Sequence, residues 1–368
     1  MKDLVRDTLA VINQYFIPFV QLKHLHLFRF GLATLSLSPF ESLNCNARIW
    51  GGVESRSTAE SKMYRLVNNA GMHTIGIKLL RSFAWITPDS MVNIDFSTFS
   101  SGWMYPEFQV LAFGMQTLSG RAVPLFFDII QYPITTTGSQ NIFIIETIKR
   151  FKRILGFYPQ FVLDRGFAIP SLVQCFIEEG ITFYVRSKSG KTVTIVSMKE
   201  FTSMEELDHL VPAGKIKEKD VMVKVYGRPL RLIISDHDGK NKEPWYILTN
   251  DTVSPRKKII ETYYHRFEIE ETFKDLKHLK GMEGIKVKSE NTFRVVLWFM
   301  IMGCWIAYLV QQTYQTTTET MKAFSHSIYQ KAKTNPHKRL SFFRTFFEAI
   351  QRCFYFVQAC LIRKSRRW

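Results

Sequence analysis

Between Met91 and Ser187 the chain sets out a succession of apolar runs whose lengths and boundaries leave few folds open. "MVNIDFSTF", "FQVLAFGMQTL" and "AVPLFFDIIQY" are strand-like in length and bounded by Gly, Ser and Pro signals. "QNIFIIETIKRFKRIL" then takes helical spacing, "PQFVLDRGF" reads as a strand ending on Asp164, "IPSLVQCFIEEG" as a helix and "ITFYVRS" as a strand. Three strands, helix, strand, helix, strand is an α/β order.

The flanks have other textures. Residues 1–88 predict a mainly helical region, with apolar clusters such as "VINQYFIPFV" and a polar, basic stretch, "NARIWGGVESRSTAESKMYRLVNN". That suits a small DNA-binding region; its arginines and lysines read equally well as the solvated face of a helical cap. From about 187 to 250 short alternating strands, clearest in "DVMVKVYG", "PLRLIISD" and "PWYILTN", predict a β insertion. The expected division is therefore 1–88, a catalytic domain at 89–313 interrupted by that insertion, and a helical, basic region at 314–368. The apolar run Val295–Val310 falls short of the ~20 residues of a membrane span. It is expected to be a buried core helix, with no membrane partner.

A formal charge of +17, from 49 Lys and Arg against 32 Asp and Glu, points to a polyanionic partner, nucleic acid first. The five cysteines, Cys45, Cys175, Cys304, Cys353 and Cys360, form no CxxC pair, so neither zinc nor a disulfide framework is indicated. With no signal-peptide pattern at the N-terminus, the expected location is the cytoplasm, on the nucleoid. Two apparent motifs fail on spacing. "SGKT" at Ser189–Thr192 has Val185 where a phosphate-binding loop needs its first glycine, and "DHDGKNKE" from Asp236 lacks the terminal glutamate of a calcium loop and reads as a hairpin turn.

The chemistry gathers in "ETYYHRFEIEETFKDLKH", residues 261–278. On one continuous α-helix, positions seven apart return to within about 20° and positions four apart to within about 40°. Tyr263, Arg266, Glu270 and Lys277 would then share one stripe. Such a stripe alone is more often a salt-bridged solvent face than a site. Asp95 and Asp164, however, are each expected at the end of a predicted strand in the α/β segment, where a buried acid is costly unless it holds a metal or a partner. Two strand aspartates and one helix glutamate can converge on a pair of Mg²⁺ ions, with Mn²⁺ as a substitute. Two such ions clamp the attacking and leaving oxygens of an in-line phosphoryl displacement. Arg266, Lys277 and the Tyr263 phenol would then meet DNA phosphates on either side of the scissile bond.

These residues resemble the DDE transposases of bacterial insertion sequences, in particular the insertion sequence 4 family. The family's signature, Tyr, two residues, Arg, three residues, Glu, six residues, Lys, stands here as Tyr263, Arg266, Glu270 and Lys277. Its second acid is similar to Asp164 in "DRGF" and its first to Asp95 in "VNIDFSTF". "SKMYRLVNN" and "WYILTN" resemble further segments of the family, so the likeness spans roughly residues 47–310. It implies an RNase H-like catalytic core interrupted by a β domain, with Asp95, Asp164 and Glu270 as ligands of two Mg²⁺ ions. The implied reaction nicks DNA at the terminal inverted repeats and joins the 3′-hydroxyl to target DNA, in cut-and-paste members through a hairpin. A homodimer would hold the two ends. Hairpin formation needs a flipped base stacked on an aromatic surface; Trp245 occupies the matching place, and reads otherwise as a buried strand tryptophan. Rival readings are a DNA-binding protein without catalysis, a nuclease that only nicks, and a membrane-associated protein.

Overall fold

A computed structural model describes residues 2–38, 40–49, 54–99, 107–132, 139–196, 201–206, 218–235, 244–279, 281, 287, 289–315, 317–319 and 342–352. Among the described residues five α-helices come first: α1 (Lys2–Val11), α2 (Leu22–Gly31), α3 (Leu43–Arg48), α4 (Arg56–Val67) and α5 (Ala70–Ser82). Side-chain caps explain three of their starts: Ser42 accepts from the Cys45 N–H, Ser55 from Thr58 and Asn69 from Gly71.

Three strands follow, β1 (Met91–Phe99), β2 (Glu107–Met115) and β3 (Val123–Tyr132), then α6 (Ser139–Leu155), β4 (Gln160–Leu163), α7 (Pro170–Glu178) and β5 (Phe183–Ser187). Short strands β6 (Thr192–Ile195), β7 (Phe201–Ser203), β8 (Glu218–Val225), β9 (Arg228–Ser235) and β10 (Trp245–Thr249) come next. The chain then turns helical, with α8 (Arg256–Tyr264), α9 (Phe267–Leu279), α10 (Glu290–Thr313) and α11 (Phe342–Arg352). The "DHDGKNKE" turn and the basic tail "LIRKSRRW" lie outside the described residues.

Among the described residues ten strands form one mixed sheet, in the order β3-β2-β1-β4-β5-β10-β9-β8-β6-β7. The first three strands run antiparallel to one another, β4 is parallel to both β1 and β5, and β10 joins β5 antiparallel. The strands expected as an insertion therefore lengthen the sheet rather than stand apart from it, because β10 supplies the free edge of β5 with a partner. Growth of the sheet changes sides between β1 and β4, and at such a switch point a crevice opens beyond the strand ends.

Helix α10 is long and apolar enough, by length and composition, to cross a membrane, but 89% of its most apolar window is buried inside the protein. Its two tryptophans explain the burial. Trp305 donates its indole N–H to the Pro124 carbonyl at 2.6 Å, and Trp298 donates to His73 Nδ1 at 2.6 Å. Arg294 of the same helix and Arg150 of α6 both pair with the buried Asp128 of β3, at 2.6 and 3.0 Å. Helix and sheet are thus fastened by polar contacts inside an apolar interface, where an unpaired Asp128 would be costly.

Candidate active site

The parallel register of β1 and β4 sets Ile94 opposite Leu163. The next residue of each segment is an aspartate, so Asp95 and Asp164 stand side by side at the switch point of the sheet. Asp164 directly follows the last residue of β4, but Asp95, expected at a strand end, lies mid-way along β1, because pairing with β2 carries that strand on to Phe99. Asp164 leads into a short 3₁₀ turn, Arg165–Phe167, in which its side chain makes no capping bond. Its carboxylate faces the helices instead: the Tyr263 hydroxyl donates to it at 3.4 Å, and the Arg266 guanidinium approaches to 4.0 Å. The same guanidinium pairs with Glu270 at 2.7 Å. Arg266 therefore links the second aspartate to the glutamate.

The expectation of one continuous helix through residues 261–278 is corrected here. The chain breaks at His265 and Arg266, between α8 and α9. The Arg266 N–H bonds to Tyr263 O and the Glu268 N–H to His265 O, a tighter pattern than the α-helical one. The Thr262 carbonyl, which loses its helical donor, accepts from Gln116 at 3.0 Å; the His265 carbonyl accepts from Asn93 at 3.1 Å as well as from Glu268, and Gln116 also donates to Asn93 at 2.7 Å. Glu268, 3% exposed, accepts from the Thr117 and Gly120 N–H groups at 2.8 and 2.9 Å and lies 3.2 Å from His265 Nδ1. The start of α9 is thereby docked onto the β2–β3 loop, two residues before Glu270.

Asn93, Gln116 and Glu268 are the positioning residues that sequence reasoning missed. Asn93 alone carried a signal, because it lies two before Asp95 on a strand and so shares its face. Removing the charge-assisted bonds in Glu268→Ala should cost about 3 kcal/mol. Thermal unfolding measures this, and Glu268→Gln, which keeps an acceptor, should recover part of the loss.

Electrostatics tie the third acid to the other two. Burial pushes the Asp95 carboxyl up to about 6; Arg266 and the Phe96 N–H pull it back down, and Glu270 and Asp164 push it up again. Asp95 thus shares the field of both other carboxylates. Burial lowers the Arg266 pKa, but Tyr263, Asp164 and Glu270 more than offset this and the net shift is upward. Burial also raises the Tyr263 phenol above its ordinary value.

The remaining expected site residues fall as follows. Tyr263 and Arg266 are buried, at 1% and 5% exposure, and their polar atoms meet the acids. Buried Arg266 Nε makes no hydrogen bond. Lys277 is half-buried on α9, beyond Glu270. Trp245, 5% exposed, packs edge-on to Tyr263 with ring centroids 5.2 Å apart, in a small cluster with Val162, Tyr184 and Ile260. Phe267, 41% exposed, has its ring centre 6.5 Å from that of Trp245 and the Arg266 guanidinium 4.6 Å from it.

Among the described residues no group of three or more His, Cys, Asp and Glu side chains stands close enough to hold one metal ion as they lie. Glu270 is turned onto Arg266. The donor chemistry nonetheless suits a hard divalent cation: three carboxylates share one field, and the proton affinity of Asp95 is raised by burial and by its neighbours' charge.

Comparison with known proteins bears on this arrangement. Residues 140–308 match the family model described as "Transposase DDE domain". This transposase match takes in Asp164 and everything from Tyr263 to Lys277, while Asp95 lies upstream of it. No curated protein sequence matches the chain. Among solved structures, a piggyBac transposase synaptic complex with hairpin DNA is 12% identical, with 95% of this chain and 73% of that chain covered, at a TM-score of 0.49. Endonuclease V from Bacillus subtilis is 9% identical, with 56% and 90% covered, at a TM-score of 0.31. Neither structural likeness is close enough to carry an argument about this chain.

Proposed function

We propose that the protein is the DDE transposase of an insertion sequence, cutting DNA at the element's terminal inverted repeats and joining the freed 3′-hydroxyl to target DNA. One observation carries the reading: Arg266 links Asp164 to Glu270, and Asp95 on the adjacent strand lies in the field of both. The transposase DDE match over residues 140–308 supports it. In this reading strands β1–β5 with their helices form an RNase H-like core, and the first five helices contribute to end recognition.

Asp95, Asp164 and Glu270 would hold Mg²⁺ or Mn²⁺. Bound there, two such ions supply an activated oxygen nucleophile and stabilise charge on the scissile phosphate. The protein's own groups set up that step. Tyr263 and Arg266 orient Asp164, Arg266 restrains Glu270, and the Glu268 anchor fixes the height of α9 above the two aspartates. In this reading Arg266, its charge secured by Tyr263, Asp164 and Glu270, would also meet a phosphate oxygen entering between the acids. Lys277, further along α9, would hold the backbone next to the cut. For Lys277→Ala, affinity for DNA should fall and the salt slope flatten by about one unit; an unchanged slope, read by fluorescence anisotropy, would mean a lysine that touches no phosphate.

Trp245 is proposed as the platform for a flipped base in a hairpin route. Trp245 is buried at 5% exposure, so a base would reach it only after neighbouring side chains move aside. Two ends joined in one complex imply a homodimer on DNA. The reading is tested by incubating supercoiled plasmid with protein in Mg²⁺ and in EDTA. Nicking that needs metal supports it, and binding without nicking would leave a DNA-binding protein. Trp245→Ala should nick normally yet form fewer hairpins; equal hairpin yield would remove Trp245 from the mechanism.

A further inference from the structure

The turn that failed as a nucleotide loop has a place in the structure. Lys188, Ser189, Gly190 and Lys191 join β5 to β6, and together with Arg165 they line an open cavity of about 470 Å³. Three of the five lining residues are cationic and none is acidic. Arg165 directly follows Asp164, so the cavity begins one residue, about 3.8 Å along the backbone, from an acid of the candidate active site.

This pocket is built rather than incidental. The turn is closed by the Lys191 N–H donating to Lys188 O at 3.1 Å and held from outside by the Glu205 N–H donating to Ser189 O at 3.2 Å. Tyr226 ties it to the aspartate loop: its hydroxyl donates to Ala168 O at 2.6 Å, while the Lys191 ammonium sits 4.4 Å from its ring centre. Tyr226 and Gly227, at φ 53° and 76°, are the two residues of the tight turn that joins β8 to β9, a hairpin geometry that calls for positive φ at both. Through Tyr226 the β8–β9 turn is thus tied both to the segment after Asp164 and to Lys191 of the cavity wall.

We infer that this cavity binds a backbone phosphate of substrate DNA on the Asp164 side of the cut. The inference rests on the transposase reading, which brings DNA to Asp164. The three carboxylates repel a polyanion until cations are bound, so a strand laid across them needs a positive hold close by. Lys188 and Lys191 supply charge, Arg165 supplies a planar fork suited to two phosphate oxygens, and Gly190 leaves the mouth clear.

Gly190 also provides the test. A Cβ there would meet nothing within 4 Å and its backbone lies outside the left-handed region, so side chains are tolerated. Gly190→Glu would place a carboxylate at the cavity mouth, and Gly190→Gln is its neutral counterpart. Anisotropy is measured with a fluorescein-labelled duplex of mixed sequence over a range of salt, with thermal midpoints taken for both variants. Gly190→Glu should bind at least about tenfold more weakly than Gly190→Gln at low salt. Lys188→Gln/Lys191→Gln should flatten the salt slope by about one to two units, more than Lys149→Gln/Lys152→Gln on α6, which removes the same charge elsewhere.

Equal affinity of Gly190→Glu and Gly190→Gln, with equal slopes for the two lysine pairs, would overturn the pocket. Plasmid nicking by the wild type and Glu270→Gln runs in parallel. Glu270-dependent nicking alongside those equalities would overturn the pocket and leave the transposase reading standing. A Gly190→Glu binding defect in a protein that never nicks would keep the pocket as a nucleic-acid site and remove the catalytic reading. A wild type that neither binds nor nicks would remove both.

Discussion

Glu270→Gln should abolish metal-dependent DNA cleavage while leaving DNA binding within a few-fold of the wild type. Loss of a partner that merely orients a metal ligand costs about 10–100-fold, so loss of a ligand itself should exceed that range. The glutamine keeps the length and one acceptor oxygen but removes the charge that both Arg266 and a divalent ion require. Single-turnover cleavage measures the effect; a rate within tenfold of wild type would remove Glu270 from the site. Arg266, which pairs with Glu270 at 2.7 Å, stays held by Asp164 and Tyr263, so the fold should survive the change.

Asp95→Asn should separate activity from stability in opposite directions. Burial raises the Asp95 pKa from 3.8 to about 6 in the folded protein. A group whose folded pKa exceeds its unfolded one binds its proton more tightly when folded, so protonation stabilises the native state. The penalty is complete above about pH 6 and fades as pH falls from there towards 3.8. At neutral pH, without metal, the shift corresponds to about 3 kcal/mol. Asparagine cannot ionise, so the variant should unfold at higher temperature than the wild type in EDTA at pH 7.5, with the gap closing near pH 4. Cleavage by the same variant should be lost. Millimolar Mg²⁺ should raise the wild-type midpoint and leave the variant unmoved. A less stable Asp95→Asn protein at pH 7.5 would contradict the electrostatic picture of the site.

The strands that carry the acids were legible because each is a short apolar run between breakers: "MVNIDFSTF" is β1, and "QFVL" before Asp164 is β4. What the residues could not say was that β10 would close onto β5 and make one sheet of the core and the expected insertion. Strand pairing between segments some 60 residues apart leaves no local trace. The helix break at His265 and Arg266 was equally hidden, since residues 261–278 contain no glycine or proline. It is written in Gln116, Asn93 and Glu268, whose bonds outweigh the local preference for continuous helix. The helical wheel still grouped Tyr263, Arg266 and Glu270, because a tightened turn shifts these positions without moving them to another face. It could not show that Tyr263 and Arg266 point inward to the acids while Phe267 takes the surface.

The long apolar helix shows the same limit from the other side. Its composition fits a lipid phase or a protein core, and the deciding contacts, Trp305 to Pro124 and Arg294 to Asp128, come from a strand some 170 residues away.

The most direct test of the central claim is cleavage of end-labelled duplex DNA taken from the flank of the coding sequence, resolved on a denaturing gel in Mg²⁺ and in EDTA. Three carboxylates acting as one site predict a nick at a single boundary that requires Mg²⁺ and disappears in Asp95→Asn, Asp164→Asn and Glu270→Gln alike, followed by a hairpin band. Binding with no cleavage in Mg²⁺ or Mn²⁺, or cleavage that survives loss of any one of the three acids, would contradict it.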